Sequence, residues 1–413
     1  MMASGKWARW ACMASLACAA AASAQTATPT DASSASQPAS APAAAPRKPL
    51  MDVLDHTGLG KGLDDLNVNI YGFVESSATF NAQGTRINEG GVFDTESREF
   101  DFNQADLTFE RTVDPSKGKF DVGGRMEWIW GSDAAFIHSN GLFDWYNGPE
   151  NPDEQWDPVQ AYVDFALPIG SGLDLKVGKF VTLLGYETIN PTNNPFYSHS
   201  YLFGFAIPFT HTGVLATYVL NPQWTISAGV TRGWEQAFKD NNRAPDFLGS
   251  VTWAPNEKWK FALNNTTGAE QANDSRDLRT VFDLVATYTV NEKLTLGFNG
   301  DYGFESNSAT ARIPGNDAQW YGIATYLSQK LCDAATVNVR GEWFDDTDGS
   351  RGLGTNVYEV TLGLTITPFY KDNTLSNFKL RPEVRWDYGQ TPLFDTGTRH
   401  DQFTAAIEGY FTF

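Results

Sequence analysis

The chain has 413 residues, with 49 Asp and Glu against 30 Lys and Arg, a formal charge of −19 at pH 7. That balance excludes the basic surface a nucleic-acid partner requires. The length admits two or three soluble domains or one large all-β unit, and 14% aromatic residues with 37 glycines mark an aromatic-rich chain.

Residues 1–24 read as a signal peptide. Lys6 and Arg9 form a positive start, Trp10 to Ala22 an apolar core too short to span a membrane, and Ala22-Ser23-Ala24 a small-x-small cleavage site. Cleavage before Gln25 would remove two cations, moving the charge from −19 to −21. Ser15-Leu16-Ala17-Cys18 resembles a lipoprotein site only faintly, and simple cleavage is the better reading. Export is therefore expected, and the mature chain would keep Cys332 as a lone thiol. Residues 25–49 are almost all Ala, Pro, Ser and Thr, and 50–66 are short and Gly-rich with one helical turn near 51–55. Together, 25–66 are expected to be a flexible periplasmic segment.

From Asn67 onward the chain reads as strand after strand. In "KFDVGGRMEWIW", Phe120, Val122, Gly124, Met126, Trp128 and Trp130 share one face, and Lys119, Asp121, Gly123, Arg125 and Glu127 the other. In "FKLRPEVRWDY", Phe378, Leu380, Pro382, Val384, Trp386 and Tyr388 alternate with Lys379, Arg381, Glu383, Arg385 and Asp387. The stretch 98–113 changes parity near Asn103, as at a bulge. Seven short links, at 114–118, 168–172, 221–222, 255–258, 291–292, 331–333 and 368–377, alternate with eight longer ones, at 81–97, 131–156, 186–206, 235–245, 269–278, 305–315, 345–354 and 389–399. Fifteen links join sixteen strands, and two length classes in strict alternation are the layout of a transmembrane barrel with short periplasmic turns and long outer loops.

A soluble sandwich also alternates, but it has no reason to sort its links by length. Aromatics collect near predicted strand ends: Trp128, Trp130, Trp343, Trp386 and Tyr388 toward the loops, and Trp224, Trp253, Trp259, Phe411 and Phe413 toward the turns. Such bands suit the two headgroup levels. The fold class expected is an all-β, closed antiparallel transmembrane barrel over 67–413. No mature segment is long and apolar enough for a membrane helix, and hydrocarbon requires a sheet to close on itself.

The third long link, "GYETINPTNNPFYSHSYLFGF", has the chemistry of a pore constriction. Glu187, Asn190, Asn193, Asn194, Ser198 and His199 are the candidate constriction residues, with Pro191 and Pro195 to stiffen the path. The link 131–156, carrying Asp133, Asp144, Glu150, Asp153 and Glu154, could shade the mouth with negative charge, but a solvated surface loop is the better reading. Arg125 and Glu127, Arg340 and Glu342, then Arg381, Glu383 and Arg385 are expected to line the lumen and bias what enters. Overall acidity leans toward cations.

An outer-membrane lipid hydrolase is the main alternative, since Ser198, His199, Asn193 and Asn194 supply the residue types; adjacency alone builds neither a base nor an oxyanion hole. A plugged adhesion or structural barrel is another. No cofactor or metal site is read. His199 and His211 are separated by an apolar stretch, His400-Asp401 is isolated, and Gly58-Leu59-Gly60-Lys61-Gly62 lacks the strand-to-helix setting of a phosphate loop.

The stretch "VGKFVTLLGYETINPTNNPFYSHSYLFGFAIPFTHTG", with "IYGFVE" at the first strand and the aromatic end "AIEGYFTF", resembles the OmpL-like group of outer-membrane β-barrel porins of Gram-negative bacteria. The resemblance implies a porin over 67–413, set in outer-membrane lipid and lipopolysaccharide and passing small hydrophilic solutes or ions. In sixteen-stranded porins the third outer loop commonly folds inward, a homotrimer is common, and a terminal aromatic such as Phe413 is read by the barrel-assembly machinery.

Overall fold

The computed structural model describes residues 48–97, 100–146 and 155–413. The predicted leader, the Ala/Pro-rich stretch up to residue 47, and Glu150, Asp153 and Glu154 lie outside them. Sixteen strands follow two short helices, α1 (Pro49–His56) and α2 (Gly60–Asp65). The first eight strands are β1 (Val68–Asn81), β2 (Phe100–Arg111), β3 (Asp121–Gly131), β4 (Gln155–Leu167), β5 (Leu173–Val181), β6 (Thr210–Asn221), β7 (Trp224–Thr231) and β8 (Asp246–Asn256). The others are β9 (Trp259–Ala269), β10 (Leu278–Asn291), β11 (Leu294–Ser308), β12 (Asn316–Cys332), β13 (Ala335–Asp345), β14 (Asn356–Ile366), β15 (Phe378–Gly389) and β16 (Asp401–Thr412).

Each strand pairs with its neighbours in sequence, and β1 closes on β16, from Phe73 opposite Thr412 to Asn81 opposite Thr404. Closure leaves no ladder of backbone groups facing lipid. The parity change near Asn103 is a register shift: Glu75 pairs with Gln104, but Ser77 pairs with Asp101.

Three of the tight turns share one device. Asn221, Asn256 and Asn291 each accept, through Oδ1, the N–H groups two and three residues on, at 2.9–3.2 Å. An asparagine that bonds its own chain two residues ahead holds the reversal without help from the loops.

The apolar set faces outward. Leu263, Val360 and Leu362 are each half or more exposed, while their neighbours Asn264 and Thr361 are at most 1% exposed. At the turn level Trp224 stacks on Trp253 at 5.5 Å and Trp259 on Tyr288 at 4.2 Å. At the loop level Trp128 meets Trp156 at 4.7 Å, Tyr321 meets Trp343 at 5.6 Å, and Trp386 meets Tyr388 at 6.0 Å.

One expectation is corrected. Residues 49–65, read as flexible, are mostly helical and cover an exposed edge. Pairing on that side ends where Gly72 and Phe413 exchange backbone hydrogen bonds at 3.0 and 2.9 Å, so β1 from Val68 to Tyr71 has no strand partner there, and such an edge invites mispairing. Met51, 1% exposed, sits there, and its sulfur accepts the Ile70 N–H at 3.3 Å.

Candidate functional site

The segment 182–209, between β5 and β6, enters the barrel. Its neck is closed by the Thr182 N–H donating to the Phe209 carbonyl at 2.9 Å. Asn190 caps the short turn Pro191–Asn193, accepting from the Thr192 N–H at 2.9 Å and its hydroxyl at 2.6 Å. Two apolar contacts seat the segment. Phe196, Tyr201, Leu202 and Ile207 pack on inward Leu215, Trp320, Phe344 and Val357. Ile189 and Phe203 pack on Ile129, Val159 and Phe93, the last reaching in from the first long link. Gly204 is required there, since a Cβ would stand 2.5 Å from Val92 Cγ2.

The segment's backbone polar groups cannot bond to one another as a helix or sheet would, so side chains of the wall serve them. The Glu383 carboxylate accepts the N–H groups of Tyr197 and Ser198 at 2.9 and 3.1 Å. Glu342 accepts those of Tyr201 and Leu202, both at 2.7 Å, and Glu187 that of Ser200 at 2.8 Å. Arginines serve the carbonyls. Arg340 donates to Ser198 O at 2.7 Å, Arg385 to His199 O at 2.6 Å, and Arg381 to Pro191 O at 3.0 Å and to Asn194 O. Each arginine also has a carboxylate: Glu187 and Glu359 for Arg340 at 2.8 and 3.0 Å, Asp387 for Arg385 at 2.8 Å, and Glu408 for Arg381.

Five of the residues expected to line open water therefore do not. Arg340, Glu342, Arg381, Glu383 and Arg385 point inward as alternation requires, but lie beneath the segment and are 0–6% exposed. Arg125 and Glu127 sit on β3, four strands from β15 around the closed sheet. Arg125 is 19% exposed and pairs with Glu127 at 2.9 Å and Glu110 at 3.6 Å. Of the segment's own candidates, Glu187, Asn194, Ser198 and His199 are buried, and Asn190 and Asn193 are partly so. Asp133, read as part of a solvated loop or of the mouth, is 1% exposed instead, because a short helical turn after β3 points it inward to accept from Gln104 at 2.8 Å and Asn103 at 3.3 Å. Asp144 is tied down by Lys239 and by His138 at 3.1 Å.

Glu359, Glu408 and Phe93 complete the site and were not singled out from sequence. The two glutamates stand at inward positions of β14 and β16, so alternation carried a signal for them. Phe93 lies in a link, where no period applies.

The arrangement does not assemble a hydrolase. Ser198 Oγ accepts from Arg340 at 3.2 Å, while His199 Nε2 lies 3.0 Å from Asn194 Nδ2 and 3.3 Å from Thr188 O. No hydrogen bond joins the hydroxyl to the imidazole among the described residues. His199 is packed between Phe93 and Phe203, at 4.9 and 4.3 Å. Burial pushes its pKa down from 6.5 to about 4, despite the charge of Glu187. An unfolded imidazole takes up a proton first, so the segment should lose stability as pH falls from about 6.5 to about 4. Amide exchange across 187–203 should rise over that window, and a flat profile would refute the packing.

A closed, even-numbered antiparallel barrel, greasy outside and carrying its third long link inside, is an outer-membrane porin fold. The chain belongs to the family described as "Putative beta-barrel porin-2, OmpL-like", whose model matches residues 67–413, and it is an outer-membrane porin of the Gram-negative type. No curated protein matches it. Solved structures share the fold at low identity. The outer membrane channel DcaP of Acinetobacter baumannii is 15% identical with a TM-score of 0.53, covering 84% of this chain and 97% of that one. The anion-selective porin from Comamonas acidovorans is 11% identical with a TM-score of 0.56, covering 84% and 99%. OprB of Pseudomonas putida is 10% identical with a TM-score of 0.57, covering 87% and 97%.

Proposed function

We propose that this porin is a narrow, water-filled channel for passive diffusion of small hydrophilic solutes and ions, with no chemical step. The observation that carries this reading is the clamp on 182–209: a segment bonded across residues 191–202 to β13 and β15 holds one fixed aperture, whereas a mobile loop would not. Glu187, Asn190, Asn193, Asn194, Ser198 and His199 form or support that constriction. Residues 1–24 direct export and are removed. Outer-membrane lipid and lipopolysaccharide surround the barrel, Phe413 presents the last strand to the assembly machinery, and three copies associate as a homotrimer.

Reconstitution tests this. Detergent-purified protein should give stepwise single-channel currents and swell liposomes in small sugars but not in larger ones. A correctly folded barrel that passes neither ions nor sugars would favour the plugged adhesion reading. Release of ester-linked acyl chains that disappears in Ser198→Ala would favour the hydrolase.

A further inference from the structure

We infer that the loop-side rim of the barrel, between β1, β2 and the chain leaving β3, holds a binding site for a small neutral aromatic molecule that carries a hydrogen-bond donor. The site is separate from the channel and independent of the diffusion-channel reading above.

The wall parts at this rim. β1 stays paired with β2 up to Phe100, but the ladder between β2 and β3 ends at Ala105 and Trp130. Among the described residues, β2 from Phe100 to Gln104 has no strand in register on its β3 side. The chain leaves β3 at Gly131, held at φ = 144°, where a Cβ would stand 2.2 Å from Asn103 O. It then turns into the barrel through Ser132–Ala135.

The parting encloses a cavity of about 310 Å³, about twice the size of one that takes up benzene. Its lining crosses the line of the sheet. Phe100 and Trp130 stand on the outer face, 76% and 43% exposed, whereas Ser77 and Thr79 are buried inward residues of β1. Phe102 lies against Trp130 at 5.2 Å. Phe93 and Phe136, 5.6 Å apart, close the inner end with Tyr197, whose hydroxyl accepts from Asn103 at 3.2 Å. Phe93 is held at φ = 70°, a costly setting for a bulky side chain. Strain of this kind gathers at ligand clamps, and here it keeps the ring as a partition between the cavity and His199, 4.9 Å behind it.

The polar part of the lining is weighted toward acceptors. The Thr79 hydroxyl already donates to Asp94 at 2.7 Å, and that of Ser132 to Asp133 at 3.4 Å, so each has only lone pairs to offer. Glu96 and Asp101 add carboxyl groups, which turn an anion away. A ligand here must bring an O–H or N–H, and rings on several sides suit a flat aromatic body in stacked or edge-to-face contact. Phenol-like and indole-like molecules meet both conditions. They collect at the headgroup level for the reason that Tyr and Trp side chains do, and Trp130 stands in the loop-side aromatic band. The outer leaflet is thus the source of the ligand.

The test uses the full-length protein refolded into lipid vesicles, with 2-naphthol as the probe and protein-free vesicles as the blank for partitioning. Equilibrium dialysis should show saturable uptake of one 2-naphthol per barrel above the blank. 2-Methoxynaphthalene, which lacks the donor, should bind about tenfold more weakly, and 2-naphthoate should not compete. Ala135→Phe, which fills the cavity, should abolish the saturable part. Phe100→Ala removes a ring that already faces outward and should weaken binding about fivefold. Uptake no greater than the blank overturns the inference. So does equal affinity for the methyl ether, or undiminished uptake by Ala135→Phe protein with native heat-modifiable gel mobility. If that variant does not fold, Phe100→Ala decides, and wild-type affinity there overturns the inference.

Discussion

Arg340→Ala is expected to widen and destabilise the channel together. Arg340 is fully buried and bonds to two loop groups and two carboxylates at once: Ser198 O, Ser198 Oγ, Glu187 and Glu359. Its removal leaves Glu187 and Glu359 buried without their cation, a change that costs about 3–5 kcal/mol. The same loss unhooks the centre of the inward segment, so single-channel conductance should rise and become noisy. Arg340→Lys should not rescue it, because an ammonium is a point charge and cannot reach four acceptors in a planar fork. Conductance traces and urea midpoints measured side by side separate the outcomes. Wild-type conductance in the alanine variant would mean that the clamp does not set the aperture.

Leu362→Arg should reveal which side of the sheet meets lipid. Leu362 stands mid-strand on β14, between Val339 and Val384, and is half exposed on the outer face. A guanidinium there should cost about 2–4 kcal/mol near the bilayer midplane. Thr287→Arg, at an inward position of β10, should be close to neutral, since the new charge reaches water in the lumen. Refolding into lipid vesicles from urea measures both, and equal costs would contradict the assignment of faces.

The architecture was legible because a barrel in lipid writes its constraints locally. Alternation in "KFDVGGRMEWIW", the Asn-led turns and the two classes of link each follow from a few neighbouring residues, and even the bulge at Asn103 left its mark as a change of parity. The site was legible only by region. "NPTNNPFYSHS" announces a stiff polar segment, but not where its backbone will point. An inward arginine at a water-filled wall and one beneath a loop occupy the same alternate position, so Arg340, Arg381 and Arg385 could not be told from Arg125 by period alone. Their partners come from far along the chain: Glu342 meets Tyr201 across 141 positions, and Arg381 meets Pro191 across 190. Asp133 was read as a solvated loop residue for a different reason: it lies in a link, where no period applies, and a single helical turn points it inward.

That separation bears on how the molecule matures. The strands that grip the inward segment lie beside the β1–β16 closure, at the far end of the chain from β5. A half-built sheet lacks the side chains that serve the backbone of residues 191–202, and contacts so distant in sequence form late. The gate and the last staves of the cask thus arrive together: a copy that failed to close would also be a copy left wide open, and narrowing doubles as a record that assembly has finished.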